Sequence, residues 1–228
     1  MIHTFPDRRW YVDEYLVPSM LEQGITKDEI EIHNDANKEG NLKSWIRCCT
    51  NIAAQNSEGN TWHMQDDILI CRDFAKRTKE VGGSGVACGF ASSYDKQRPG
   101  GPVPANDMWF SFACIRIPDP YMVPFLYWFN SVSKAWFENE AKENRNDDMF
   151  FREYVRARHP NTIVFNMTPN LVEHVDFLLG GSVVNPQRKK RNVSSIYWDD
   201  EELVIDLAKR LGQMEAYEKQ KAKDEGVC

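Results

Sequence analysis

Residues 2–80 alternate between two apolar periods in the order strand, helix, strand, helix, strand, and no other feature restricts the fold of this chain so strongly. Ile2–Phe5 reads as a short strand. Arg9–Gln23 reads as a helix that Pro18 should kink or break, because proline has no amide hydrogen for an interior helical bond. Glu29–His33 alternates acid and isoleucine as a strand does and ends in the polar loop 34–40. In the helix from about Leu42, the residues Leu42, Trp45, Ile46, Cys49 and Ala53 recur at steps of three and four and share one face. A Gly59-Asn60 turn leads to the strand Thr61–Met64, then Gln65-Asp66-Asp67, the apolar Ile68–Cys71 and a short helix with Asp73 as its expected cap. This order predicts a single α/β domain with a mixed, mostly parallel sheet flanked by helices.

Beyond Glu80 the pattern predicts a strand from about Gly85 to Phe90, a polar loop from Ala91 to Asp107 and a strand Met108–Arg116. A loop of that length in a compact domain is usually a lid or a binding loop. Helices are expected over Tyr121–Glu140 and Asp148–His159, and a strand over Thr162–Asn166. A last helix starts at Asp199-Asp200-Glu201-Glu202, where acids suit the positive helix end, with Leu203, Leu207, Leu211 and Met214 as its stripe. The domain therefore spans residues 1–214, and 215–228 is expected to be a polar, frayed tail. The run Gly82-Gly83-Ser84-Gly85 lacks the Lys-Ser/Thr of a phosphate loop and reads as a tight turn.

The net charge of −6 is concentrated at the end: residues 199–228 hold nine acids and five bases, leaving the first 198 residues at −2. A nearly neutral body argues against holding a long polyanion mainly by charge. No apolar run of 18 residues and no basic-then-apolar leader is present, so a cytoplasmic protein is expected. The six cysteines contain no CxxC and fall largely in apolar stretches, which predicts buried, reduced thiols and no zinc.

Two adjacent carboxylates, Asp66 and Asp67, follow the third strand. Ligands of open α/β sheets bind just outside the strand ends, and hard oxygen donors there suit Mg²⁺ or Mn²⁺ holding a diphosphate. The bland alternative is that these acids only begin a turn.

Three segments in order, Thr4-Phe5-Pro6-Asp7-Arg8, Asn34-Asp35 before Gly40-Asn41-Leu42, and Trp62-His63-Met64-Gln65-Asp66-Asp67-Ile68-Leu69-Ile70-Cys71-Arg72-Asp73-Phe74, together with the late Pro169-Asn170-Leu171-Val172-Glu173-His174-Val175, resemble small bacterial and bacteriophage glycosyltransferases of the GT-A fold. The likeness covers roughly residues 1–197. It implies a Rossmann-like domain with residues 1–80 as the nucleotide-sugar half, 81–198 as the acceptor and catalytic half and 199–214 as a C-terminal helix. It implies a nucleotide-sugar donor, with Pro6, Arg8 and Asp35 near the nucleotide and the acidic motif reaching ribose and metal. Where the family motif is DxD or a variant, the first position here is Gln65, so a ribose contact there is through an amide. Asp67 is then the expected ligand of Mn²⁺ or Mg²⁺, with Asp66 orienting the site or acting through water and His174 completing it. His33, His63 and His159 have no such context and read as structural.

An inverting transfer also needs a base for the acceptor hydroxyl. Asp147-Asp148 resembles the family's later acidic motif, with Asp148 slightly favoured over Asp147; the alternative is that one of them only caps the helix that follows. Arg8, Lys43 and Arg188 are candidate cations for the departing diphosphate. The run Arg188–Arg191 closes over that diphosphate, touches a nucleic-acid acceptor, or is simply solvated. Tyr94 and Trp109 are the expected acceptor contacts, whereas Phe125, Trp128 and Phe129 sit at helical spacing and read as core. The first donor expected from the resemblance is UDP-glucose. The acceptor is either a saccharide or a hydroxymethylated pyrimidine in phage DNA, the latter requiring a flipped base, in a bacterium or a phage-infected cell. Two other classes stay open: a metal-dependent phosphohydrolase or nuclease, which needs more converging carboxylates, and a non-catalytic nucleotide-sugar-binding module, which Gln65 makes thinkable. The sequence sets no oligomeric state.

Overall fold

Ile2 on the first strand and Met1 just before it are buried in different apolar clusters, so the central sheet is packed on both faces. The computed structural model describes residues 1–82, 85–90, 101–104, 111–139, 146–181 and 198–224. Its strands are β1 (Ile2–Thr4), β2 (Ile32–Asn34), β3 (Asn60–Gln65), β4 (Ile68–Ile70), β5 (Ala87–Cys88), β6 (Gly101–Pro104), β7 (Cys114–Pro118), β8 (Ile163–Asn166) and β9 (Val172–His174). Seven of them form one sheet in the order β2-β1-β3-β7-β5-β8-β6, while β4 and β9 pair separately and antiparallel.

The pairings β1–β2, β1–β3 and β5–β8 are parallel, and β3–β7, β5–β7 and β6–β8 are antiparallel. The protein is thus α/β with a mixed, partly parallel sheet. The ladder is less parallel than expected because β7 runs backwards between β3 and β5. All five of its residues are buried, as a central strand covered on both faces requires. Since β3, β7 and β5 are successively antiparallel, β5 points the same way as β3, and β8 follows β5. The carboxyl ends of β1, β2, β3, β5 and β8 therefore share one edge.

The helices are α1 (Arg9–Tyr11), α2 (Val17–Glu22), α3 (Asn41–Gln55), α4 (Phe74–Glu80), α5 (Met122–Asn139), α6 (Asp147–Arg158), α7 (Glu201–Arg210) and α8 (Met214–Asp224). On one face α3, α5 and α6 bring Trp45, Phe125, Phe150, Phe151 and Tyr154 together, with Trp45 4.9 Å from Phe112 and 4.8 Å from Phe125 between ring centroids. Phe125 and Trp128 are core residues, as their spacing predicts. The other face buries Tyr11, Leu16 and Met20 with β4, β9 and α7. Among the described residues no helix is long and apolar enough to cross a membrane. Cys48, Cys49, Cys71, Cys88 and Cys114 are buried free thiols, in line with the expectation.

Several local expectations are corrected. The run 9–23 continues as helix past Pro18, with regular α-helical bonding giving way to a π-helical stretch, Val12–Leu16, directly before α2. Glu29 ends a short 3₁₀ turn, Lys27–Glu29, closed by a capping box with Thr26, so β2 begins only at Ile32. Asp73 stands at the cap position of α4 without capping it, its carboxylate being turned to Cys71 Sγ at 3.3 Å. The stretch 91–107 is not all loop, because 101–104 forms β6 against β8. The following strand is described from Cys114, after a turn at 112–113, and the expected start at Met108 lies outside the described residues. The tail is not frayed up to Asp224: Gly212, at φ +66°, turns the chain into α8, where Tyr217 is buried and donates to Glu201 Oε1 at 2.7 Å.

Gly89, just past β5, is what lets residues 167–171 lie against the sheet on the way to β9. It donates to Cys114 O (2.8 Å) and accepts from Leu171 N–H (2.7 Å). A Cβ there would stand 2.7 Å from Cys114 Sγ and 3.1 Å from Leu171 Cδ1. Gly89→Ala should cost about 1–3 kcal/mol in denaturant unfolding through overpacking. Gly82→Ala, with nothing within 4 Å, should change stability by less than about 0.5 kcal/mol.

Candidate functional site

Because β1, β2 and β3 are parallel, the segments after Thr4, Asn34 and Gln65 emerge on one edge of the sheet, where crevices of α/β proteins form. After β1 the 3₁₀ turn Pro6–Arg8 folds back, with proline pre-set for its first position. After β3 come Asp66 and Asp67, both buried. The turn brings Arg8, itself only 4% exposed, onto the acids: its Nη1 donates to Asp67 Oδ2 at 2.6 Å and to Asp66 Oδ1 at 3.3 Å, and its Nη2 donates to the carbonyl of Gly181. The Phe5 amide donates to Asp66 Oδ2 at 3.2 Å.

His174 arrives through strand pairing. In the β4–β9 ladder Ile68 faces His174, and the Val175 amide donates to Asp67 O at 2.8 Å, so the register puts the imidazole beside the acid preceding β4. Its Nε2 lies 3.3 Å from Asp67 Oδ1 and its Nδ1 3.3 Å from Asp176 Oδ1. Tyr11 donates its hydroxyl to Ile68 O at 2.8 Å and steadies β4 from the helical side. Arg77 donates to the carbonyls of Pro169 and Asn170, fixing the approach to β9.

Burial opposes every charge here, and the partners decide the outcome. Burial would raise Asp67, yet His174 and Arg8 hold it well below the usual carboxylate range. For Asp66, burial and the neighbouring Asp67 outweigh Arg8 and push it up to about 6. His174 is pushed up to about 10, since Asp67 and Asp176 overcome its desolvation. The Asp67–His174 and His174–Asp176 contacts are ion pairs with imperfect hydrogen-bond geometry: Asp67 Oδ1 and His174 Nδ1 are buried without a hydrogen bond.

Asp67 Oδ1 faces the His174 imidazolium, so this pair would offer two donors to Mn²⁺ or Mg²⁺ only once His174 had lost its proton. Among the described residues no group of three or more His, Cys, Asp or Glu gathers as a metal cage. An ion held there would take its remaining positions from water and phosphate oxygens, the habit of Mg²⁺. Asp176 on the far imidazole nitrogen is the carboxylate that orients such a ligand.

The structure therefore brings Arg8, Asp66, Asp67 and His174 together. Asp35 is fully buried but does other work: its carboxylate accepts from the Gly40 amide (2.9 Å) and from Arg47 (3.1 Å), shaping the loop after β2. Pro6 is exposed and Gln65 partly exposed on the same edge. Lys43 is exposed in the first turn of α3, with no ion pair among the described residues. Arg188, Tyr94 and Trp109 lie outside the described residues.

Asp147 and Asp148 begin α6, where Asp147 Oδ1 accepts from the Asp148 amide (3.0 Å) and Asp148 Oδ1 from the Met149 amide (2.8 Å). Both thus serve the helix start. Asp147 is buried close to Cys49 of α3, and burial followed by the charge of Asp148 pushes its carboxyl up to about 7. Neither is joined by any described hydrogen bond or ion pair to the Arg8 cluster.

Sequence reasoning missed Asp176, the Gly181 carbonyl and Arg47. The acid two residues after a candidate histidine ligand was a usable signal for Asp176; nothing local marks a carbonyl 173 positions away from Arg8. Comparison with protein-family models, with characterised proteins and with solved structures finds no match to this chain.

Asp67→Ala leaves Arg8 and His174 facing a buried gap in charge and should cost about 3–5 kcal/mol in denaturant unfolding. For Asp147 the folded state binds its proton more tightly than the unfolded chain does. Its contribution therefore weakens stability as pH rises from the ordinary carboxylate range to about 7 and is constant above that. Asp147→Asn should flatten that slope and give a higher unfolding midpoint than wild type at pH 8, measured by thermal melts across pH 4–8.

Proposed function

We propose that this chain is a metal-dependent glycosyltransferase with a GT-A-type domain, moving a sugar from a nucleotide diphosphate donor to an acceptor hydroxyl. The observation that carries the reading is the buried cluster of Arg8, Asp66, Asp67 and His174 at the carboxyl ends of β1 and β3. It joins what the sequence resemblance implies separately: a cation beside the first strand, an acidic motif after the third and a late histidine. Five strands opening on that edge support a nucleotide crevice there, with Pro6 and the Asp35 loop on the base side and Gln65 and Asp66 within reach of ribose.

In this reading Asp67, with His174 once it had given up its proton, would hold the metal, and Asp66 keeps Arg8 and the Phe5 amide in place. Mn²⁺ or Mg²⁺, once bound, supplies Lewis acidity to the leaving diphosphate. Arg8, Lys43 and Arg188 supply further positive charge. For the acceptor proton, Asp147 is pushed by burial up to about 7, which suits a base working near neutrality. Asp148 stays its alternative, and Tyr94 and Trp109 are assigned to the acceptor. The acceptor is a saccharide or a hydroxymethylated pyrimidine of DNA in the cytoplasm of a bacterium or a phage-infected cell. A two-metal phosphohydrolase is less well supported, because it needs a further set of converging carboxylates that the described residues do not gather.

The test is thermal unfolding with Mn²⁺ and a panel of nucleotide sugars, UDP-glucose first, followed by transfer assays on glycans and on hydroxymethylated DNA. One nucleotide sugar should raise the midpoint in a metal-dependent way. Asp67→Asn, folded by circular dichroism, should lose that shift and at least about 100-fold in transfer rate. No shift with any nucleotide under either metal would remove the reading.

A further inference from the structure

Between the first turns of α5 and the end of α6 lies an open cavity of about 500 Å³, whose lining includes Tyr127, Trp128, Ser131, Tyr154, Arg158 and His159. A cavity of that size takes a small organic molecule. It is not part of the candidate site. Strand β7 runs against β3, so α5, which follows it after the 3₁₀ turn Asp119–Tyr121, starts at the sheet edge opposite the Arg8 cluster. Strand β8 runs parallel to β5, so the end of α6, which precedes it, lies toward that same opposite edge. The 12 residues of α6 put about 18 Å between Asp147 and the cavity.

The walls of the cavity are aromatic, and its polar groups are few and mostly engaged. Trp128 and Tyr154 are buried, whereas Tyr127 is 76% exposed. His159 is fixed: its ring stacks on Tyr121 with 4.4 Å between centroids and 8° between planes, and its Nε2 lies 3.1 Å from the Tyr154 hydroxyl. Burial lowers the proton affinity of His159, so at neutral pH it is an uncharged ring. Ser131 donates its hydroxyl to Trp128 O at 2.6 Å. That leaves Arg158 as the charge of the cavity, exposed in the last turn of α6 and without an ion pair among the described residues. The acids nearest in the chain are engaged elsewhere: Glu153 pairs with Arg152 and Arg156 at 3.0 Å, and Asp119 accepts from the Thr61 hydroxyl at 2.7 Å. From Met122 to Ser133 the chain holds no charged residue.

We propose that this cavity binds a small aromatic anion, a planar ring carrying a phosphate or a carboxylate. The ring lies on the aromatic walls, where Tyr127 offers a face for offset stacking. The anionic group goes to Arg158, whose planar fork matches phosphate and carboxylate bidentately. A cation is repelled by Arg158, and a sugar finds no carboxylate or amide side chain in the lining to serve its many hydroxyls. An aliphatic anion leaves the aromatic walls unused. The Tyr121–His159–Tyr154 arrangement is already formed, so binding has only the exposed side chains of Tyr127 and Arg158 to order. A nucleotide and an aromatic carboxylic acid share this chemistry.

The experiment uses the full chain in EDTA, which removes metal-dependent donor binding, and titrates it by ligand-observed NMR with AMP, UMP and indole-3-acetate against uncharged adenosine, uridine and indole. At least one anion should bind about 10-fold more tightly than its uncharged counterpart. Arg158→Gln should abolish that difference, and Tyr127→Ala should weaken anion and counterpart alike by about 5-fold or more. Both side chains are exposed, so both variants should keep the wild-type fold by circular dichroism. A preference for the nucleotides assigns a phosphate ligand, and a preference for indole-3-acetate a carboxylate. Equal binding of anions and counterparts, or no binding of any of them, would overturn the proposal. So would an affinity that neither variant moves, because the ligand would then sit elsewhere on the chain.

Discussion

Two carboxylates next to each other in the chain, both taken out of water, are the constraint on which the rest of this structure is arranged. Like charges at that separation cannot be buried together unless opposite charge is brought to them. Arg8 brings it from one side and His174 from the other, and each needs a piece of backbone placed for the purpose. The 3₁₀ turn after β1 delivers Arg8, and the separate β4–β9 ladder delivers His174. Much of the polar structure on this face can be understood as support for those two deliveries. Tyr11 holds β4, Arg77 holds the approach to β9, Glu173 accepts the His174 amide at 2.9 Å, and Asp176 turns the imidazole.

The opposite face has a different character. Around Trp45 the contacts are between aromatic rings, worth about 0.5–1.5 kcal/mol a pair beyond area burial. The sheet separates this apolar stabilisation from the charged cluster. Truncations in that layer act on the folding equilibrium, whereas changes at Arg8, Asp66, Asp67 or His174 act on charge balance as well.

How much of this was legible in the sequence depended on whether the signal was local. The strands β1 and β3, the helix α3 and the buried Phe125 and Trp128 follow from periodicity, and the acidic motif from its position after a strand. What periodicity does not carry is direction. Nothing in Cys114–Pro118 marks it as a reversed strand between β3 and β5, because a strand buried on both faces reads as a plain apolar run. At Pro18 the sequence marks an irregularity but not its form, which is a π-helical stretch just before the proline. In the candidate site the residues could be named but not their bonds. That Arg8 would choose the acids, and Asp35 instead the Gly40 amide and Arg47, is decided by chain segments far apart in sequence.

Acid–base roles are commonly assigned by environments that push similar groups apart in proton affinity. Here Asp67 is held ionised by His174 and Arg8, fit for a cation, while Asp147 is held near neutrality by burial, fit for accepting a proton. Asp66, Asp67 and Asp147 thus divide by surroundings alone. The pair after β3 meets compensating charge on both sides. The pair opening α6 meets the amides of its own helix and the apolar layer around Cys49. Asp66, raised by burial and by its neighbour, therefore stands closer to Asp147 than to Asp67, and it is the imidazolium of His174, on Asp67 alone, that separates the two adjacent acids.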